Sequence, residues 1–280
     1  MTVAVLGPGA VGGVLAVGLA RAGVRVLCIA RPDTAQAIRS EGLSLRRDEK
    51  VETQRVEAAT TLREAVDVLL ITVKAPGLDD ALDRVEAHAH TVLPLLNGLE
   101  HMEVIRSRLG GHVVAGTIGL LEAYRETPTR IVQTTPGPVI TASEPVDLTP
   151  FEVRVVPEAV LLWDKVARMA PLAAATSITQ RPVGELRADP EWRPRLERAI
   201  EEACSVARAD GVELRPDSQW RLIDSLAPTV TTSAARDVAA GRPSELDAIT
   251  GSVVRAARRL GVETPTLDEL WEEACRLPSR

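Results

Sequence analysis

Gly7, Gly9 and Gly12 punctuate the run Gly7-Pro8-Gly9-Ala10-Val11-Gly12, which follows an apolar stretch and precedes a helical repeat. In that setting each glycine has its own use. Gly7 permits a tight turn, Gly9 lets the backbone approach a pyrophosphate, and Gly12 lets a helix pack close to a strand. The loop, from Pro8 through Ala10 and Val11 to Gly12, leads into a helix start whose unpaired N–H groups and positive dipole end suit phosphate oxygens. The chemistry this predicts is dinucleotide binding.

Three more side chains fall where such a site needs them. Arg31 closes the next strand, beside the adenosine ribose. An arginine there suits a 2′-phosphate and points to NADP, whereas the nearby Asp33 would suit the free hydroxyl of NAD. Lys74 stands at the carboxyl end of the run 67–73. There it is either a second phosphate contact or a solvated strand end, and the first is expected. Asn97 opens an Asn97-Gly98 pair that would ordinarily mean a turn. At the end of a strand in this fold it would face the nicotinamide half of the cofactor.

The elements that must position these residues are legible in the periodicity. Residues 2–6 read as a strand, and Val11, Leu15, Ala16, Leu19 and Ala20 recur at helical spacing until Gly23. Residues 24–30 read as a second strand, 34–41 as a helix ending at Gly42, and 43–59 as an exposed hairpin. The nearly continuous apolar runs 67–73 and 91–96 predict buried parallel strands. Residues 113–117, 130–133 and 139–141 read as further strands, the last after a Pro136-Gly137-Pro138 turn. His88, His90, His101 and His112 have no metal spacing, and loop or surface positions are expected for all four.

The chain has 280 residues, 45% of them hydrophobic and 2% aromatic, so its cores must be built from Ala, Val, Leu and Ile. Its net charge of -6, with both signs interspersed, argues against a nucleic-acid surface. Cys28, Cys204 and Cys275 are odd in number and far apart, which argues against a disulfide framework or a metal site. The chain starts on a strand rather than a secretion leader and carries no bilayer-length apolar run. A cytoplasmic protein with no membrane partner is expected.

From about residue 158 the pattern turns helical. A helix over 163–175 must kink or break at Pro171. Asp189-Pro190 caps a helix running to Gly211, with Leu196, Ile200, Ala203 and Ala207 on its inner face. Helices follow over 216–226, 231–240 and 245–260, and Thr266-Leu267-Asp268-Glu269 reads as a capping box. The expected architecture is an α/β Rossmann-type dinucleotide-binding domain over 1–157 and an all-helical domain over 158–280. A catalytic cleft is expected between them.

Trp163-Asp164-Lys165, then Thr176, then Pro182-Val183-Gly184-Glu185-Leu186 resemble the corresponding stretch of the ketopantoate reductases (2-dehydropantoate 2-reductases). So do Ser233-Ala234-Ala235-Arg236-Asp237, Gly241-Arg242-Pro243-Ser244-Glu245-Leu246-Asp247 and Gly251. Gly7–Gly12, Arg31, Val73-Lys74-Ala75 and Asn97-Gly98 match the same family in order and spacing. The resemblance implies reduction of ketopantoate to pantoate by NADPH, a step of pantothenate biosynthesis. It implies that Lys165 protonates the carbonyl oxygen and that Asn97 holds Lys165, substrate and nicotinamide together. Ser233 and Glu245 would bind the two ends of the substrate, and Arg31 and Lys74 the 2′-phosphate. Hydride addition to a 2-oxo acid builds negative charge on that oxygen, and a lysine with a lowered pKa can stabilise the charge and supply the proton. Lys165 could otherwise be a solvent-facing helix residue, Glu245 a favourable helix-dipole charge, and Ser233 a cap.

Two positions depart from the family. Met169 and Ala173 stand where its members usually carry asparagines, four and eight residues beyond Lys165 and on the same helix face. A glutamine that often follows Val-Lys-Ala is also absent, near Pro76-Gly77. Met169 and Ala173 are expected to border the substrate and to favour a 2-oxo acid with an apolar tail. The alternatives are a related NAD(P)-dependent hydroxy-acid dehydrogenase and a non-catalytic NADP-binding protein. Apolar helix faces in the second half could pair two copies into a homodimer.

Overall fold

The computed structural model describes residues 1–119, 121–135 and 137–277. Pro136, part of the expected turn, and residues 278–280 of the expected second domain lie outside them. The chain forms two compact units, Met1–Leu96 with His101–Leu161, and Asn97–Glu100 with Leu162–Arg280.

In chain order the first unit contains β1 (Thr2–Leu6), α1 (Ala10–Arg21), β2 (Arg25–Ile29), α2 (Pro32–Glu41), β3 (Leu43–Arg47) and β4 (Lys50–Gln54). It continues with β5 (Glu57–Ala59), β6 (Val66–Ile71), α3 (Leu78–Leu82), β7 (Ala89–Pro94), α4 (His101–Arg108), β8 (His112–Val113) and β9 (Gly116–Gly119). It closes with β10 (Ala123–Thr127), β11 (Arg130–Gln133), β12 (Val139–Ala142) and β13 (Val153–Val155). The main sheet has the order β5-β2-β1-β6-β7-β8, with every pair parallel. Its first strand in sequence, β1, is central and the order reverses between β1 and β6, which is the doubly wound Rossmann arrangement. Val3, Val5, Leu6, Leu69, Leu70 and Ile71 are buried, as strands covered on both faces must be.

Two smaller sheets complete the unit, β10-β11-β3-β4 and β13-β12-β9. They account for most departures from the expected elements. β3 and β4 form the expected hairpin, but Leu43 and Leu45 are buried rather than exposed, because β3 also pairs in parallel with β11 and lies against α1. The third piece of that stretch, β5, leaves the hairpin to become the edge of the main sheet. The expected strand over 113–117 is two strands in different sheets, β8 against β7 and β9 against β12. β10 is too polar and β13, three residues long, too short to announce itself. His101 opens α4 and is buried, contrary to its expected surface position.

The second unit takes in most of α5 (Glu158–Thr179), then α6 (Val183–Ala188), α7 (Trp192–Ala209), α8 (Pro216–Asp224), α9 (Ser233–Ala239), α10 (Ser252–Leu260) and α11 (Pro265–Cys275). α5 runs through Pro171 without a break. Ala167, Ala170, Ala173 and Ala174 are fully buried along it, so neighbouring helices approach closely and only Trp163 supplies a large buried ring. Asp189 caps α7 as expected, its Oδ1 accepting from the N–H groups of Glu191 and Trp192 at 2.9 and 3.1 Å. The capping box at Thr266 does not form. α11 starts earlier, and the N–H groups of Thr266 and Leu267 donate instead to Glu202 of α7 at 2.9 and 2.8 Å. A carboxylate brought by another helix does the work expected of a local hydroxyl. None of the described helices is long and apolar enough to cross a membrane.

Candidate active site

The chain follows β1 directly into the glycine loop. Gly7 has φ +83°, and a side chain there would strike Val73. At Gly12 an added Cβ would lie 2.3 Å from Thr72 Oγ1, 2.7 Å from Gly7 O and 2.9 Å from Val5 Cγ1. The Thr72 hydroxyl donates to Leu6 O and Gly7 O at 3.2 and 2.8 Å, tying the loop to the end of β6. Gly9 differs: a Cβ there would meet only Gly7 O, at 3.9 Å. No protein packing demands a glycine at this position, and the space it leaves opens on the unbonded first turn of α1, which has no side-chain cap and no acidic residue. This bare, electropositive cradle fits a pyrophosphate.

Arg31 follows β2 as the N-cap of α2, and Lys74 follows β6. Because β2, β1 and β6 are adjacent, Arg31, the loop Gly7–Gly12 and Lys74 share the carboxyl edge of three neighbouring strands at the point where strand order reverses. Ligands bind at that point in open parallel sheets. Arg31 and Lys74 are exposed, while Pro8 and Gly12 are buried beneath the loop and Ala10 and Val11 are half-buried. Among the described residues no carboxylate forms a salt bridge with Arg31.

Gly12→Ala tests the loop. The overlap falls on Gly7 carbonyl and Thr72, neither of which can retreat without breaking their hydrogen bond. Overpacking of this kind costs about 1–3 kcal/mol. We expect a lower melting temperature together with a loss of nucleotide affinity, read by thermal unfolding with and without cofactor. Unchanged values would contradict the packing role.

A second constellation lies wholly within the helical unit. The Asn97 amide donates to Glu245 Oε2 at 3.0 Å. Glu245 is buried and precedes a π-turn, Asp247–Gly251, that leads into α10. Lys165, half-buried on α5, has its pKa lowered to about 8: burial pushes it down, the Glu245 charge pushes it up, and the Arg168 charge pushes it down. Asn97, Glu245 and Lys165 are therefore one electrostatic group, and an amine in this range can be a proton donor near neutral pH.

Several contacts hold the group. Gly98, at φ +96°, allows its segment to pass against the Ala248 carbonyl. Leu99 packs on the helical core, and Glu100 takes a bidentate pair from Arg255 at 2.8 and 2.7 Å. Arg255 also donates to Asp247 Oδ1 at 2.8 Å. The Thr250 hydroxyl donates to Ala170 O at 2.9 Å, joining the π-turn to α5. Near Lys165, Trp163 Nε1 donates to Asp210 Oδ2 at 2.8 Å. Ser233 opens α9 on the surface, next to Thr232, whose hydroxyl caps the helix and meets Thr176 Oγ1 at 2.8 Å.

The family model of the ketopantoate reductase PanE/ApbA matches residues 3–144, and the model of its C-terminal part matches residues 160–275. The chain belongs to this family. It is 31% identical over 294 residues to the 2-dehydropantoate 2-reductase of Vibrio cholerae, covering 98% of this chain and 96% of that one. The PanE/ApbA family ketopantoate reductase of Ralstonia eutropha JMP134 superposes with TM-score 0.85 at 29% identity, over 99% of this chain and 98% of that chain. A D-mandelate dehydrogenase solved with NADH and anilino(oxo)acetate has the same fold, with TM-score 0.88 at 20% identity over 98% and 97% of the two chains. The protein is an oxidoreductase of the ketopantoate reductase type.

Within this ketopantoate reductase fold one expected contact fails. Ala173 is fully buried in the helical core and offers a ligand no surface, although it shares a helix face with Lys165. Its place two turns along α5 carries it under the neighbouring helices. Met169, one turn from Lys165, is half-buried against the same core. Thr72, Arg168 and Gln219 were not anticipated as supports. One available signal was composition: the chain contains three lysines, Lys50, Lys74 and Lys165, against a large number of arginines. Where arginine is the default cation, a retained lysine marks a place for a compact, titratable amine.

Proposed function

We propose that this protein reduces a 2-oxo acid to the 2-hydroxy acid with NADPH. The observation that carries this reading is the Lys165–Glu245–Asn97 group, with an amine lowered to about 8 beside a buried carboxylate. A reduced nicotinamide, when bound, supplies the hydride that adds to the keto carbon. Lys165 Nζ neutralises the charge that grows on the carbonyl oxygen and delivers its proton there, ending as the neutral amine. Glu245 keeps that amine charged until the reaction needs the proton. Asn97, by donating to Glu245 Oε2, fixes the carboxylate. Ser233 is assigned to the substrate's far end.

Arg31 and Lys74 are assigned to the 2′-phosphate. Charge-assisted contacts are worth roughly 1.5–3 kcal/mol each. NADPH should therefore bind at least about tenfold more tightly than NADH, which needs only about 1.4 kcal/mol. Fluorescence titration decides the point; equal affinities would transfer the ribose to Asp33 and the cofactor to NAD.

For the substrate, Met169 next to Lys165 favours an apolar tail over the hydroxymethyl end of ketopantoate. A hydroxyl buried against a thioether without a partner loses roughly 1–3 kcal/mol. We expect kcat/KM for an analogue lacking that hydroxyl to exceed the value for ketopantoate by about one to two decades. A clear preference for ketopantoate would return the protein to the ordinary family activity. A second copy of the chain is the proposed protein partner, read by light scattering.

A further inference from the structure

We propose that Thr176 is a positioning residue for Ser233: its buried hydroxyl, bonded to the Thr232 hydroxyl, ties the start of α9 to α5, the helix that carries Lys165. This rests on the assignment of Ser233 to the substrate. Thr176 lies about three turns beyond Lys165 on α5 and is fully buried. Thr232, the residue before Ser233, is buried with it, and the two hydroxyl oxygens are 2.8 Å apart. The direction of each bond follows from what the partners can do. The Leu172 carbonyl can only accept, and it takes the Thr176 proton at 2.7 Å. The Ala235 N–H can only donate, and it donates to Thr232 Oγ1 at 3.2 Å. The bond between the two threonines therefore runs from Thr232 to Thr176. A single chain, from the Ala235 N–H through two hydroxyls to the Leu172 carbonyl, joins the first turn of α9 to the main chain of α5.

α9 has seven residues, too few to hold its own place, so its position is set by what fastens it. Ahead of it, Val183 N–H donates to Val230 O and Gly184 N–H to Pro228 O, both at 2.9 Å, binding the approach to α6. Towards its end, the buried Asp237 carboxylate accepts from Arg242 Nε at 3.1 Å, and Asp237 O accepts from Arg242 N–H at 2.9 Å. These contacts fix α9 to α6 and to the segment that leads to Glu245. The threonine pair is what refers it to α5. Ser233 is the exposed first residue of α9, so the place of its hydroxyl follows the place of the cap beside it. A valine would fill the Thr176 site equally well if volume were all that it required. It would leave the buried Thr232 proton without its acceptor.

The test is a double-mutant cycle in the full-length protein, with NADPH and with both ketopantoate and its analogue lacking the hydroxyl. Ser233→Ala should raise KM for at least one of the two acids by about fivefold, the loss of one hydrogen bond, and that acid is the probe. Thr176→Val should raise the same KM by about threefold or more, with kcat and NADPH affinity within about twofold of the parent. In the Ser233→Ala background it should add less than about twofold, because the group it positions is already gone. Thr176→Ser keeps the hydroxyl and should bring KM back to about that of the parent. Thr176→Ala removes the hydroxyl without placing a second methyl in its site, and gives the same reading where the valine variant is unstable. An unchanged KM for both acids in Ser233→Ala would remove Ser233 from the substrate, and the proposal with it. A KM raised by Ser233→Ala but left alone by Thr176→Val, or raised by the same factor with and without Ser233, would overturn the positioning role while leaving Ser233 in place.

Discussion

Lys165→Ala should lower turnover by on the order of 10²–10⁴, the usual contribution of a general acid. The amine feels the Glu245 charge and has its pKa lowered to about 8. Its removal takes away both the stabilising charge and the proton, and water supplies neither in the required position. NADPH affinity should hardly change, because the glycine loop, Arg31 and Lys74 belong to the other unit. The measurement is a pair of experiments, stopped-flow turnover and cofactor titration. Near-normal turnover would reduce Lys165 to a helix-surface residue. A parallel loss of cofactor affinity would mean that the substitution disturbs more than the donor.

Glu245→Gln should be the other severe substitution, and its signature is a change in pH dependence. The carboxylate raises the Lys165 pKa against burial and Arg168. Without its charge the amine falls further, below about 8. The protonated, donating form exists only below that pKa, so turnover is lost as pH rises through it. The alkaline limb of kcat should therefore shift to lower pH. At pH 8 turnover should fall by about fivefold or more, with partial recovery toward pH 6, as expected for a shift of one unit or more. The amide retains the shape of the side chain and a carbonyl for the Asn97 donor, so the fold should survive. A limb that moves upward, or a loss equal at every pH, would show that Glu245 acts on the substrate alone.

Much of this architecture is legible in local pattern. β1, the glycine loop and α1 are read in succession because each uses a different signal: β-branched residues, glycine spacing, then the 3.6-residue repeat. The buried strands β6 and β7 announce themselves by continuous apolarity. The pairing partners of β3 and β5 are not legible, since strand association depends on residues far away in the chain. Glu202 capping α11 is hidden for the same reason, as 64 residues separate it from the Thr266 N–H it satisfies. Asn97, Lys165 and Glu245 can be picked out as residues, but their meeting depends on Gly98, Leu99 and Glu100 anchoring one short segment to the helical unit. Ala173 shows the limit of helical arithmetic. Spacing gives the face it shares with Lys165, while packing of later helices decides that the face is covered there.

The most direct measurement is NADPH oxidation at 340 nm with a panel of 2-oxo acids, comparing the parent protein with Lys165→Ala and identifying the product by chromatography. The account predicts stoichiometric conversion of at least one 2-oxo acid to its 2-hydroxy acid by the parent, with the variant slower by on the order of 10²–10⁴. NADPH bound with no oxidation by any member of the panel, or equal rates in the two proteins, would contradict it.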